Sequence, residues 1–133
     1  MKVILDTSTL IAAQISRAGV CAELMEDILL NHELIISELI LEELQPKLRE
    51  TFGFPDADVR EVAEFLRAAA TSVIPADLPP DSCRDTVDIP VLGTAVAGQA
   101  ELLVTVDRDL LELVIFRGIA ILKPRDFWER TAQ

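Results

Sequence analysis

Histidine, cysteine and aromatic residues are scarce in this chain: one His, two Cys, one Trp, five Phe and no Tyr in 133 residues. Cys21 and Cys83 have no nearby cysteine partner and no histidine at zinc-ligand spacing, so zinc is not indicated and both are expected as free, buried thiols. The sole histidine, His32, sits between Asn31 and Glu33 at a predicted helix-to-strand turn. Any Ser-His or Cys-His chemistry would have to use it, and a surface histidine is the plainer expectation. Positive charge is also short. Twelve Lys and Arg against twenty-three Asp and Glu leave a net charge of −11, the opposite of the footprint of a module that grips nucleic acid over a broad surface. Long apolar runs are absent: the longest stretch without a charged residue, 89–100, contains Pro90, Gly93 and Gly98 and is too short to cross a bilayer. The N-terminus runs straight into a strand and its acid rather than into a signal core, so the expected location is the cytoplasm, with no membrane partner. Neither a GxxxxGK[ST] nor a GxGxxG pattern occurs, and a nucleotide cofactor is unsupported.

Half of the residues are hydrophobic, enough for one core and a single domain spanning 1–133. Apolar runs and helical spacing alternate along the chain. Strand 2–6 leads into helical material over 8–31, then strand 33–36, helices 38–50 and 57–71, and a short strand at 72–74. The proline-rich stretch Pro75–Arg84 reads as a loop. Helix 89–98, strand 101–106, a short helix from 108, strand 119–122 after Gly118 and a last helix after Pro124 complete the pattern. Strands separated by helices imply right-handed crossovers, hence an α/β fold: a three-layer α/β/α sandwich with a parallel central sheet. Phe127 and Trp128 in the last helix lack surrounding basic residues and read as docking side chains rather than a base-stacking platform.

Four acids stand where charge is normally absent. Asp6 closes Val3-Ile4-Leu5, and Asp107 follows Leu102-Leu103-Val104-Thr105-Val106, which places both at the carboxyl ends of strands, where open α/β sheets bind ligands. With Ser37 as N-cap, helix 38–50 aligns Leu39, Ile40, Leu44 and Leu48 at about 100° per residue, and Glu43 falls inside that arc while Glu38 and Glu42 fall outside. Asp88 precedes Val91, Leu92 and Ala95 at the spacing of one helical face. Each acid alone has a plainer explanation. Asp6, Asp88, and Asp107 or Asp109 are each well placed to cap a helix, and Glu43 to snorkel to water. Together the four point to a divalent cation, because buried carboxylates need a partner and few cationic residues lie near them in sequence.

The segments VILDTSTL, SELILEEL, DIPVLGTAVAGQAELLVTVDRDLL and ILKPRDF, in that order, resemble PIN-domain ribonucleases over nearly the whole chain, especially the stand-alone toxin-like group of bacteria and archaea. The resemblance implies that Asp6, Glu43, Asp88 and Asp107 bind Mg²⁺ or Mn²⁺ and hydrolyse single-stranded RNA. It implies supporting roles for Ser8, Thr105 and Asp109, and makes Asp85 an alternative to Asp88, because Ile89-Pro90 replaces the polar residues that often follow. It also implies an antitoxin protein that blocks the site, with an Arg inserted among the acids, encoded beside the toxin.

An all-oxygen donor set favours Mg²⁺ or Mn²⁺ over zinc, and bound cations would offset the acidic charge that otherwise repels RNA. Arg17, Lys47, Arg49, Arg84, Arg108 and Arg117 are candidates for local positive potential. Two other readings compete. A phospho-receiver signalling domain shares the length, a parallel sheet, an acid cluster and a Lys-Pro pair like Lys123-Pro124, but it needs adjacent acids after the first strand and an acceptor Asp after a later one; here Asp6 stands alone and the strand at 33–36 ends in Ser37. A non-catalytic interaction module would use the acidic face against a basic partner. The apolar N-terminal helical region, with Ile11, Val20, Leu24, Ile28 and Leu29, offers either core packing or a homodimer surface.

Overall fold

Val3, Ile4 and Leu5, Leu34 to Ile36, and Leu102 to Val104 are all almost completely buried, as strands must be when helices cover both faces of a sheet. The computed structural model describes residues 1–131. Along the chain these form β1 (Lys2–Leu5), α1 (Thr7–Ile15), α2 (Val20–Asn31), β2 (Glu33–Ile36), α3 (Glu38–Pro46), α4 (Asp56–Ala69), β3 (Thr71–Ser72), α5 (Ile89–Ala97), β4 (Leu102–Val104), α6 (Arg108–Leu111), β5 (Ile115–Phe116), β6 (Ile119–Leu122) and α7 (Pro124–Thr131). The six strands lie in the order β3-β2-β1-β4-β6-β5. Every neighbouring pair is parallel except β5 with β6. The architecture is the expected α/β sandwich.

The central strands are parallel as expected, and one edge strand, β5, is antiparallel. Arg117 and Gly118 both have positive φ (48° and 83°), and Phe116 pairs with Ile119 across them. Two consecutive left-handed residues make the tight turn whose twist suits a hairpin, so Gly118 closes a turn as well as opening β6. The helical stretch expected over 8–31 is two helices, separated at Ser16–Gly19. The helix expected over 38–50 ends at Pro46 and continues as a wider π-type turn over Lys47–Thr51, where the Phe52 N–H reaches back to the Lys47 carbonyl at 3.3 Å. Pro46 has no N–H to continue the α-helical ladder. The short strand expected at 72–74 pairs only at Thr71 and Ser72.

The face of α3 is also rotated from its expected position. Ile40, Leu41, Leu44 and Leu48 are buried, whereas Leu39 is 46% exposed. Glu43 stays half-buried and Glu42 exposed. Ile11, Leu24 and Ile28 belong to the core, Leu29 packs against it, and Val20 is exposed.

Candidate active site

From β1 the chain winds outward through β2 to β3, then returns to lay β4 on the other side of β1. The carboxyl ends of β1 and β4 therefore flank the point where the winding reverses, the crevice in which open α/β sheets bind ligands. Asp6 follows β1 and Asp107 lies three residues after β4.

Asp6 is 2% exposed. Its Oδ1 accepts the Thr9 N–H at 3.1 Å and the Thr9 hydroxyl at 2.5 Å, and its Oδ2 accepts the Thr105 hydroxyl at 2.7 Å. Burial pushes its pKa above the ordinary carboxylate range, the bonds from Thr9 and Thr105 pull it back, and the charge of Asp107 adds to the rise. Three bonds leave one acceptor position of about four on the carboxylate. Thr105, fully buried, also accepts the Asp107 N–H at 2.9 Å, so one hydroxyl ties the two strand-end acids together across the switch point. Asp107 in turn caps α6, accepting the Asp109 N–H at 2.8 Å through Oδ1. For Asp6 and Asp107, capping and inward projection are compatible.

Asp88 is different. It makes no side-chain cap bond; that work falls to Asp85, whose Oδ1 accepts the Val87 N–H at 3.0 Å in the short 3₁₀ turn Thr86–Asp88. Asp88 is 9% exposed and its Oδ2 is buried without a partner. Its pKa is pushed up to about 7, first by burial and then by the charges of Asp107, Asp85, Asp6 and Glu43. The other three expected acids thus all act on Asp88, and Asp107 acts on Asp6. The tightest convergence, however, is a different trio: oxygens of Asp85, Asp88 and Asp109 lie within 4.8 Å of one another.

Glu43 is directed by Lys47, whose Nζ donates to Oε1 at 2.8 Å one helical turn on. The α3 helix that carries it is fixed to α5 through buried hydroxyls: Thr94 Oγ1 donates to Ser37 Oγ at 2.8 Å, and Ser37 caps α3 by accepting the Ile40 N–H at 3.4 Å. Ser8 is exposed in the first turn of α1. Two contributors were not anticipated from the sequence, Thr9 and Thr94. The signal for Thr9 was available, because a hydroxyl three residues after an N-capping Asp lies within its reach.

The donors fit a hard divalent cation: every candidate ligand is a carboxylate, and a buried carboxylate oxygen lacks any hydrogen bond. A PIN domain model matches residues 2–109. The chain belongs to the PIN-domain family. VapBC2 from Rickettsia felis, solved bound to a DNA fragment from the promoter, has a similar fold, with a TM-score of 0.63 at 14% identity over 91% of this chain and 97% of that one. No curated protein matches the chain.

Elsewhere in this PIN domain, His32 lies before β2, at the opposite end of the sheet from the acids, with Nδ1 3.2 Å from the N-terminal amine and Phe127 packed edge-on against its ring. It is half-buried rather than a free surface residue, and too distant to act at the acids. Cys21 is half-buried and Cys83 buried, both as free thiols. A cleft of about 700 Å³ between α1, α2 and α4 is lined by Met25, Leu29, Phe54 and Phe65 and by none of the four acids. Lys47 and Arg49 are paired with Glu43 and Asp56, and Arg84 with Glu112. Arg17 and Arg108 form no ion pair among the described residues. No helix among them is long and apolar enough to cross a membrane.

Proposed function

We propose that this PIN domain is a cytoplasmic, Mg²⁺- or Mn²⁺-dependent endoribonuclease that hydrolyses phosphodiester bonds in single-stranded RNA. One observation carries the reading: a buried carboxylate with an unpartnered oxygen, Asp88, stands within electrostatic reach of Asp6, Asp107 and Glu43 at the sheet's switch point. Asp6 and Asp88 are buried with Asp107 and Glu43 beside them, and buried like charges are costly unless a cation joins them. When bound, the cation supplies an acidified water and neutralises charge on the phosphate.

The residues divide the remaining work. Asp6, Asp88 and Asp107 hold the cation, and Glu43 completes the set with Lys47 fixing its direction. Thr9 and Thr105 lock Asp6, so that its free acceptor position faces one way. Asp109 supports the site through the backbone bond to Asp107, and Ser8 supports it from the exposed start of α1. Water attacks phosphorus in line, the new P–O bond replaces the one to the departing sugar oxygen, and no covalent enzyme intermediate is needed.

The toxin-like resemblance and the fold shared with VapBC2 support a further part of this reading, that the protein is the toxin of a toxin–antitoxin pair. The cognate antitoxin would place an Arg among the acids, answering the uncompensated charge there. The exposed apolar residues Leu30 and Phe65 leave a homodimer open to measurement. A phospho-receiver reading finds no support in the geometry: β2 runs into Ser37, whose hydroxyl is buried and bonded to Thr94, and no acceptor acid stands there.

The test is incubation of purified protein with fluorescent single-stranded RNA, single-stranded DNA and duplex RNA, with Mn²⁺ or with EDTA, beside Asp107→Asn. The expected result is cutting of single-stranded RNA alone, abolished by EDTA and by the variant. Cutting that persists in Asp107→Asn would reject the site, and retained cation binding without cutting of any substrate would favour a binding role.

A further inference from the structure

The carboxyl end of β6 lies in register with that of β4: Val104 stands opposite Leu122, and the Thr105 N–H donates to the Leu122 carbonyl at 2.9 Å. Lys123 therefore leaves its strand alongside Thr105, the residue whose hydroxyl holds Asp6, with about 5 Å between the two backbones. Pro124 then opens α7, and beside its first turn lies a cleft of about 590 Å³ lined by Val20, Val106, Leu111, Lys123, Arg125 and Asp126. Val106 is the immediate neighbour of Asp107, and Leu111 belongs to the helix that Asp107 caps. The cleft thus adjoins the acids along the wall made by Val106 and α6.

Its two walls differ in chemistry. Lys123 and Arg125 are exposed and form no ion pair among the described residues, and the acid beside them, Asp126, pairs with neither. In a chain of net charge −11, where Lys47, Arg49, Arg67 and Arg84 are all tied to acids, two unpaired cations at the lip of one cleft are a local reversal of sign. Pro124, buried between them, fixes the backbone from which both side chains leave. A lysine supplies a compact charge and an arginine a fork that grips phosphate oxygens in pairs. On the other wall, Val106 is 52% and Val20 55% exposed. Apolar surface facing a cationic lip matches the two halves of a nucleotide, a sugar and base that gain by leaving water and a phosphate that seeks charge.

We propose that this cleft holds the nucleotide next to the scissile phosphate, with Lys123 and Arg125 taking the flanking phosphate and Val106 and Val20 packing against its sugar or base. The inference rests on the nuclease reading of the acids. Pockets that enclose a small molecule run from about 300 to 1,000 Å³, so the cleft has room for a nucleotide of a single strand. Lys123 and Arg125 bind the substrate and take no part in making or breaking bonds. They offset, at one side of the site, the repulsion that the acidic surface exerts on the approaching strand, and their removal should weaken binding without slowing the bound complex.

The experiment compares the wild type with Lys123→Gln/Arg125→Gln and with Arg60→Gln/Arg130→Gln, which removes the same charge from exposed positions outside the cleft. Initial rates with Mn²⁺ are measured on a single-stranded oligoribonucleotide and on a dinucleotide whose only phosphate is the scissile one, and binding of the labelled oligoribonucleotide in EDTA is followed by fluorescence anisotropy over a salt series. All four substituted side chains are exposed, so both variants are expected to fold, as circular dichroism will check. In Lys123→Gln/Arg125→Gln, KM and Kd for the oligoribonucleotide should rise about tenfold. The salt slope of log Kd should flatten by about 0.7 to 1.4, the loss of one or two phosphate contacts on a single strand. Its kcat should stay at the wild-type value, the dinucleotide should be cut as by the wild type, and Arg60→Gln/Arg130→Gln should match the wild type throughout. Unchanged KM, Kd and salt slope in Lys123→Gln/Arg125→Gln overturn the proposal and leave the cleft to an acidic protein segment. An equal loss in Arg60→Gln/Arg130→Gln, or on the dinucleotide, overturns it as well, because the effect is then one of overall charge or of the acids themselves. A wild type that binds the oligoribonucleotide but cuts neither substrate rejects the nuclease reading, and one that neither binds nor cuts rejects both.

Discussion

Asp88→Asn is expected to stabilise the metal-free protein at neutral and higher pH, although it removes a candidate ligand. Burial and the charges of Asp107, Asp85, Asp6 and Glu43 push this carboxyl from an ordinary 3.8 up to about 7. The folded state therefore binds its proton more tightly than the unfolded chain does. Stability from this group is complete below about pH 4 and is lost as pH rises through about 7. At ~1.4 kcal/mol per pH unit the upper bound is roughly 4 kcal/mol, and relaxation of solvent and structure around the charge brings it to about 2 kcal/mol. Asn carries no charge at any pH and escapes the loss. Urea unfolding in EDTA should show the two proteins nearly equal at pH 4.5 and the variant more stable by about 2 kcal/mol at pH 8, a midpoint shift of roughly 1 M. Saturating Mg²⁺ should reverse the order, because binding to the native wild type adds stability that the variant cannot gain in full. A variant that is equally or less stable at pH 8 in EDTA would refute the electrostatic argument.

Three further substitutions test the frame around the acids. Thr105→Val keeps shape but removes the hydroxyl that bonds Asp6 and the Asp107 N–H; it should cost about 2–3 kcal/mol in denaturant unfolding and weaken Mn²⁺ binding in a titration. Gly98→Ala would drive a methyl into Ile35 Cγ2 and to 3.2 Å from the Thr94 carbonyl, at a cost of about 1–3 kcal/mol in the same assay. Val114→Asn should instead stabilise by about 0.5–1 kcal/mol, seen as a higher thermal midpoint, because a β-branched residue is held there at φ 62° and is 67% exposed.

The sheet was readable in the sequence because its central strands are apolar on both faces, and runs such as Val3-Ile4-Leu5 have few other uses. The edges were less readable. β3 and β5 are two residues each, too short to carry a periodicity, and the hairpin at Arg117-Gly118 shows one glycine where favourable turns usually announce themselves with Asn or Asp before it. Helical projection separated Glu43 from Glu42 but mistook Leu39 for a core residue, since one 100° arc fits two neighbouring rotations of a short helix equally well. Asp6 and Asp107 could be placed from strand ends alone. The trio of Asp85, Asp88 and Asp109 could not, because it depends on how the proline-rich loop returns over α6, a contact made through Cys83 that no local pattern encodes.

The central claim is that these acids hold a cation for RNA hydrolysis, and the most direct measurement is the initial rate of cleavage of a single-stranded RNA by the wild type and by Asp6→Asn across a Mn²⁺ titration. The account predicts no cleavage in EDTA, a saturable rise with Mn²⁺ in the wild type, and a loss of at least a hundredfold in Asp6→Asn at every Mn²⁺ concentration. Equal rates in the two proteins, or cleavage indifferent to Mn²⁺, would contradict it.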